Sequence, residues 1–180
     1  MRTVICAAVA AFLLAGCAGT PPPPPSAAIQ SDADAYYLIQ VLPPDAAISI
    51  AQGRMEGGTF VLDGTVFVTQ SFHGSPVDGF ILAKAPAGSL QGIRIVRMTG
   101  SPWADIYTTC QGEATTLVFG TAPGKVTYGG VARYALNGQR VYPSYGSNIE
   151  AARALLQSHY PQLVDKLVMG TIQHVPAKGC

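Results

Sequence analysis

The chain has 180 residues, with 11 Lys and Arg against 10 Asp and Glu, 3 His, 4 Cys, 14 Pro and 20 Gly. Charged residues make up 12 %, about half the ~25 % of an ordinary soluble domain, while a hydrophobic content of 48 % excludes a charge-driven disordered chain. A formal net charge of +1 argues against a nucleic-acid binder, which needs a basic surface to neutralise phosphates.

Arg2 is the only charged residue before Asp32, and Val4 to Gly16 is an unbroken run of apolar and small residues. The run is shorter than the ~20 residues of a membrane span. A positive start, a short apolar stretch and small residues at its end describe a secretory signal over residues 1–16. Its end, Leu14-Ala15-Gly16-Cys17, resembles the lipobox of bacterial lipoproteins. That resemblance implies that Cys17 becomes the first mature residue and carries acyl chains such as palmitate, which changes the membrane assignment without adding a spanning helix. Each buried CH₂ contributes ~0.8 kcal/mol, so more than one chain gives stable anchoring. In Gram-negative lipoproteins a residue other than Asp after the Cys favours the outer membrane, so Ala18 points to its periplasmic face. Loss of residues 1–16 removes Arg2 and leaves ten basic side chains facing ten acidic ones.

Five consecutive prolines, Pro21 to Pro25, precede Ser, Ala, Gln and Asp residues. Such a run adopts polyproline II at ~3.1 Å per residue, so it spans roughly 16 Å. Residues 17–35 read as a lipidated tether and residues 36–180 as one folded domain, long enough for a real core without a staple. A proline run can also dock on an SH3-like partner, but beside a lipidated Cys the spacer reading is preferred.

Cys6 lies in the signal and Cys17 is assigned to lipid, which leaves Cys110 and Cys180. In an oxidising compartment paired thiols become disulfides, so these two are expected to bond. The closed loop of about 70 residues is worth roughly 4 kcal/mol in the chain-entropy model. Two free thiols, one of them reactive, is the rival reading.

From Tyr36 onward the pattern is of short β-like runs punctuated by Gly and Pro. The runs are Tyr36–Leu42, Ala47–Gln52, Thr59–Leu62, Thr65–Phe72, Val77–Ala85, Ser89–Thr99, Ile106–Cys110, Thr115–Thr121, Lys125–Leu136 and Arg140–Tyr142. Asp63-Gly64 and Asn137-Gly138 are two-residue hairpin signals. The series predicts a mainly β domain, an antiparallel sandwich or barrel-like fold. One internal echo is present: Phe80-Ile81-Leu82 leads to Ala85-Pro86-Ala87-Gly88, and Leu117-Val118-Phe119 leads to Ala122-Pro123-Gly124. Two copies are too few for a repeat architecture.

The period changes near the C-terminus. Ser147-Asn148-Ile149-Glu150 reads as a capping box with Ser147 at the N-cap. Ile149, Ala152, Leu155 and Leu156 then share one helix face. A second helix is predicted with Pro161 at its first position, Leu163, Val164, Leu167 and Val168 on one face, and Gly170 at its end. Thr171 to Val175 returns as a strand.

Candidate chemistry is sparse. Gly120-Thr-Ala-Pro-Gly124-Lys125-Val126 has three residues between its glycines where a phosphate loop needs four, and Val126 stands where that loop needs Ser or Thr. It reads as a turn. His73, His159 and His174 have no zinc spacing, and no cofactor or metal is expected. His73, Ser75 and Asp78 lie close in sequence, but a triad is a spatial arrangement, and no G-x-S-x-G elbow surrounds Ser75. No pair among Asp45, Glu56, Asp63, Asp78, Asp105, Glu113, Glu150 and Asp165 stands out for sugar hydrolysis. Trp103 occupies a loop, where an aromatic side chain either binds a sugar or partner or folds onto the core.

The stretch Phe80–Tyr134 resembles a family of uncharacterised bacterial lipoproteins. The likeness lies in the turn Ala85-Pro86-Ala87-Gly88 leading into a strand and in Pro123-Gly124-Lys125-Val126-Thr127-Tyr128-Gly129-Gly130. Tyr160-Pro161-x-Leu163 after a helix and the lipid-anchored start fit as well. The resemblance implies a small, β-rich envelope domain and carries over no catalytic residue. The expectation is a lipid-anchored envelope protein acting as a structural or binding module without catalytic activity. Its partners are membrane lipid through Cys17 and an envelope protein or glycan. The alternatives are an envelope hydrolase built on His73, Ser75 and Asp78, and a small-ligand binder with a cavity of ~300 Å³ or more, for which Trp103 and His73 are candidate contacts.

Overall fold

A computed structural model describes residues 29, 31–44, 46–63, 70–72, 79–98, 106–109, 114–137 and 140–179. The domain is mainly β, as the alternation predicts, with two sheets and a C-terminal helix. In the first sheet β1 (Asp34–Leu42) lies between β5 (Phe80–Pro86) and β9 (Val126–Asn137), and β9 also pairs with β10 (Arg140–Gly146) and β11 (Leu167–Met169). In the second, β2 (Ala47–Glu56), β3 (Thr59–Leu62), β12 (Ile172–Lys178), β8 (Thr115–Gly120) and β6 (Leu90–Arg97) pair in that order, and β6 returns to β2 so that the five close a ring. β4 (Gln70–Phe72) and β7 (Ile106–Thr108) extend the edges of β2 and β6.

β1 is buried on both faces. Tyr37, Ile39 and Val41 face the second sheet, in a cluster with Ile48, Ile50, Ile93, Val96, Leu117 and Phe119. Tyr36 and Leu38 face the other way, toward Val126, Tyr128, Leu155, Leu156 and Leu163. A strand buried on both faces reads as a continuous apolar run rather than an alternation, and Tyr36–Ile39 is such a run. β1 starts at Asp34, and Ile29 packs against the helix-side cluster, so the last residues of the expected tether belong to the folded body.

The pairing is not purely antiparallel. β1–β9, β11–β9 and β12–β3 are parallel. Between β1 and β9 the chain passes through β2–β4 of the second sheet, returns to the first as β5 and crosses the second again as β6–β8, so that β9 enters the first sheet parallel to β1, an ordering that local turn signals do not encode. Residues 64–69, which hold most of the turn and strand expected after Asp63, lie outside the described residues; the described strands on either side, β3 and β4, both pair with β2, one after the other. The described tight turn of that region is Gly57-Gly58, where both residues have positive φ (54° and 81°) and Glu56 pairs with Thr59, as a Gly-Gly hairpin permits. Two further expectations change. The N-cap of α1 (Ile149–His159) is Asn148 rather than Ser147, its Oδ1 accepting from Ala151 N–H at 3.2 Å. Asn caps as well as Ser does, and this register lets Asn148 N–H donate to the Tyr128 hydroxyl at 2.9 Å. The predicted second helix is a 3₁₀ segment, Pro161–Lys166, and Leu167 and Val168 enter β11 beside Val126 and Thr127.

β9 and β10 pair as the hairpin expected near Asn137-Gly138, but the register begins at Asn137 opposite Arg140, so Asn137 belongs to β9 and residues 138–139 between the strands lie outside the described residues. The internal echo also has a structural counterpart. Its two turns carry the chain between the sheets in opposite senses, from β5 to β6 and from β8 to β9. They are bonded to each other: Gly88 N–H donates to Thr121 O at 2.9 Å, Thr121 N–H to Ser89 O at 2.9 Å, and the Thr121 hydroxyl to Pro86 O at 2.7 Å.

The ring of five strands encloses a small core of Ala51, Phe60, Leu62, Val118 and Ala177. Phe60 is fully buried. A Cβ on Gly53 would lie 2.7 Å from the Phe60 ring, and one on Gly92 2.5 Å from it. Glycine at both positions is therefore a steric requirement of the ring.

Candidate functional site

Gln40 pairs with Phe80 near the end of β1 farthest from the chain's entry at Asp34. α1 lies over this part of the first sheet because Ala152, Leu155 and Leu156 recur at helical spacing and bury against it. The neighbouring flank of the helix carries Ala151, Ala154 and Ser158. Their small side chains leave a cleft of about 340 Å³, lined by Gln40, Phe80, Ala151, Ala154, Leu155, Ser158 and His159. The described lining combines an amide, a hydroxyl and an imidazole with apolar surface, and among the described residues it contains no carboxylate, amine or guanidinium. Such a surface can hold an uncharged ligand by hydrogen bonds and apolar contact. Among the described residues it presents no pair of titratable groups for acid–base work. His159 stands in the last turn of α1.

Cys17, His73, Ser75, Asp78, Trp103, Cys110 and Cys180 lie outside the described residues. The strands that flank them are described. Phe72 ends β4 opposite Ile48, and Ile48 pairs on its other side with Val96 near the end of β6. The segments containing His73–Asp78 and Trp103 thus leave from strands on either side of β2, two strand spacings or about 10 Å apart. Thr109, the residue before Cys110, donates its hydroxyl to Ile93 O at 3.0 Å, a carbonyl that also receives the Thr116 hydroxyl at 2.5 Å. β12 runs antiparallel to β8 with Pro176 opposite Thr115, so it ends at the rim of the ring where β8 begins.

His174 stacks on Tyr145 with ring centroids 4.5 Å apart, and the Tyr145 hydroxyl donates to Thr115 O at 2.9 Å. This arrangement fixes the β10 edge to the second sheet and is structural. Among the described residues no group of three or more His, Cys, Asp or Glu side chains is placed to hold a metal ion. Among them, too, no helix is long and apolar enough to cross a membrane.

Among the described residues the charged groups pair within β2 and across neighbouring segments. Arg54 contacts Glu56 at 2.8 Å and Asp63 at 2.9 Å, and Lys178 reaches Glu56 at 3.5 Å. The Arg54 guanidinium, through its hydrogen bond and charge, holds the Glu56 carboxyl below its ordinary range, and Glu56 in turn raises Arg54. Asp34 pairs with Lys84 across β1 and β5 and raises its amine. Burial pushes the Tyr37 and Tyr128 phenols upward. None of these groups borders the cleft.

The cleft was not legible in the sequence because three elements assemble it. One local signal was present: Gln40 is the only polar residue in the apolar run Tyr36–Leu42. Compared with known proteins, the chain matches no family model, no curated protein and no solved structure.

Proposed function

We propose that the chain is a lipid-anchored protein of the bacterial cell envelope that acts as a structural or binding module rather than as an enzyme. The observation that carries the reading is Leu14-Ala15-Gly16-Cys17 at the end of a short apolar run behind Arg2. Cys17 is the anchor and the outer membrane, on its periplasmic side, is the proposed location. Only eleven residues separate Cys17 from Ile29, which packs on the helix-side core, so the domain stays within about 40 Å of the leaflet at full extension. The near-neutral body suits contact by hydrogen bonds and apolar patches more than by electrostatic steering. Kinship with the uncharacterised bacterial lipoproteins is part of the same proposal. The finer architecture is read as a five-strand barrel stacked face to face on the β1-centred sheet.

Substituting Cys17→Ala moves the protein from the membrane fraction to the soluble periplasmic fraction on this reading, and mass spectrometry of the wild type finds a fatty-acid adduct on Cys17. A mutant that still sediments with membranes, or a wild type without the adduct, removes the anchor. The same reading bonds Cys110 to Cys180, a link supported by β12 ending at the rim where β8 begins. Alkylation of the unfolded, unreduced protein then adds no label to either thiol; two labels overturn the bond.

A second reading, a binder of a small ligand or glycan, is favoured by the cleft of about 340 Å³, which meets the lower bound of ~300 Å³ for ligand sites. Ala154→Trp fills the cleft from an exposed helix position. If a partner crosslinked in intact cells is lost with this variant, the cleft receives it; undiminished crosslinking places the partner elsewhere. No described observation favours the hydrolase alternative at His73, Ser75 and Asp78.

A further inference from the structure

We draw no further inference here: the strongest candidate, the cleft between α1 and the β1–β5 pair, belongs to the site already described, and beyond its stripe of small helix residues nothing in the structure shows what covers it.

Discussion

The two sheets bury apolar surface in different ways. The first sheet spreads its burial over both faces of β1, with many aliphatic and aromatic side chains contributing to each of two large clusters. The ring of β2, β3, β12, β8 and β6 has an interior so narrow that Phe60 is the one ring among its five buried core residues, and two glycines make room for it. A distributed core relaxes around a lost side chain, because neighbours can shift into the space. A ring closed by backbone pairing around one side chain has little freedom to collapse, and the cost of a cavity rises with the volume left unfilled. The difference predicts that the ring is the less forgiving region, although it contains fewer apolar residues.

The largest effect tests this directly. Phe60→Ala is expected to cost about 4 kcal/mol, near the upper part of the range for a buried aromatic, while Leu156→Ala under the helix costs about 3 kcal/mol. Urea unfolding followed by tryptophan fluorescence and far-UV circular dichroism measures both. A Phe60→Ala cost below that of Leu156→Ala would reverse the comparison, and non-coincident transitions in the two signals would show that the sheets unfold separately. Gly92→Ala sharpens the same point from the opposite direction. Its new methyl group meets the Phe60 ring, and overpacking of this kind costs about 2 kcal/mol. Because the clash involves one partner, Phe60→Leu should recover part of that cost in the double mutant, and strictly additive effects would place the strain elsewhere.

These two regions were also unequally legible in the sequence. The first sheet announced itself through the apolar run at Tyr36–Leu42, the Asn137-Gly138 turn and the helical spacing of Ala152, Leu155 and Leu156. Ring closure was invisible, because β2–β6 and β3–β12 pair residues far apart in the chain and no turn signal encodes such a contact. The successive pairing of β3 and β4 with β2 was equally hidden, because a permissive dipeptide such as Asp63-Gly64 does not say which edge the flanking strands take. The shift from helix to strand at Leu167 shows tertiary pairing overriding period, since Leu167 is buried beside Val126 once β9 is in place. The site was less legible than the fold. Gln40, Ser158 and His159 converge only after α1 docks, whereas the proposal for Cys17 rests on its immediate sequence neighbours alone.

The layer between the sheets supplies the smallest predicted effect. Tyr37 lies there almost wholly buried, its ring 5.3 Å from that of Phe119. Burial disfavours the phenolate, so the folded-state pKa is raised above the ordinary value of 10.0. Below pH 10 the phenol is neutral in both states and adds no pH dependence. Above it the unfolded chain loses this proton and the folded chain retains it, so the unfolded state gains and stability falls with rising pH. With an unfolded pKa of about 10, the loss at pH 11 is about 1.4 kcal/mol from this one side chain. Tyr128 and Tyr160, whose phenols burial also raises, add to the fall in the wild type. Comparing urea unfolding at pH 8 and pH 11, Tyr37→Phe should shrink the alkaline loss by that amount while the remaining tyrosines keep theirs. An unchanged loss in the variant would mean that the Tyr37 hydroxyl reaches water, and that the two sheets are less tightly stacked over β1 than the burial of Ile39, Ile50 and Phe119 requires.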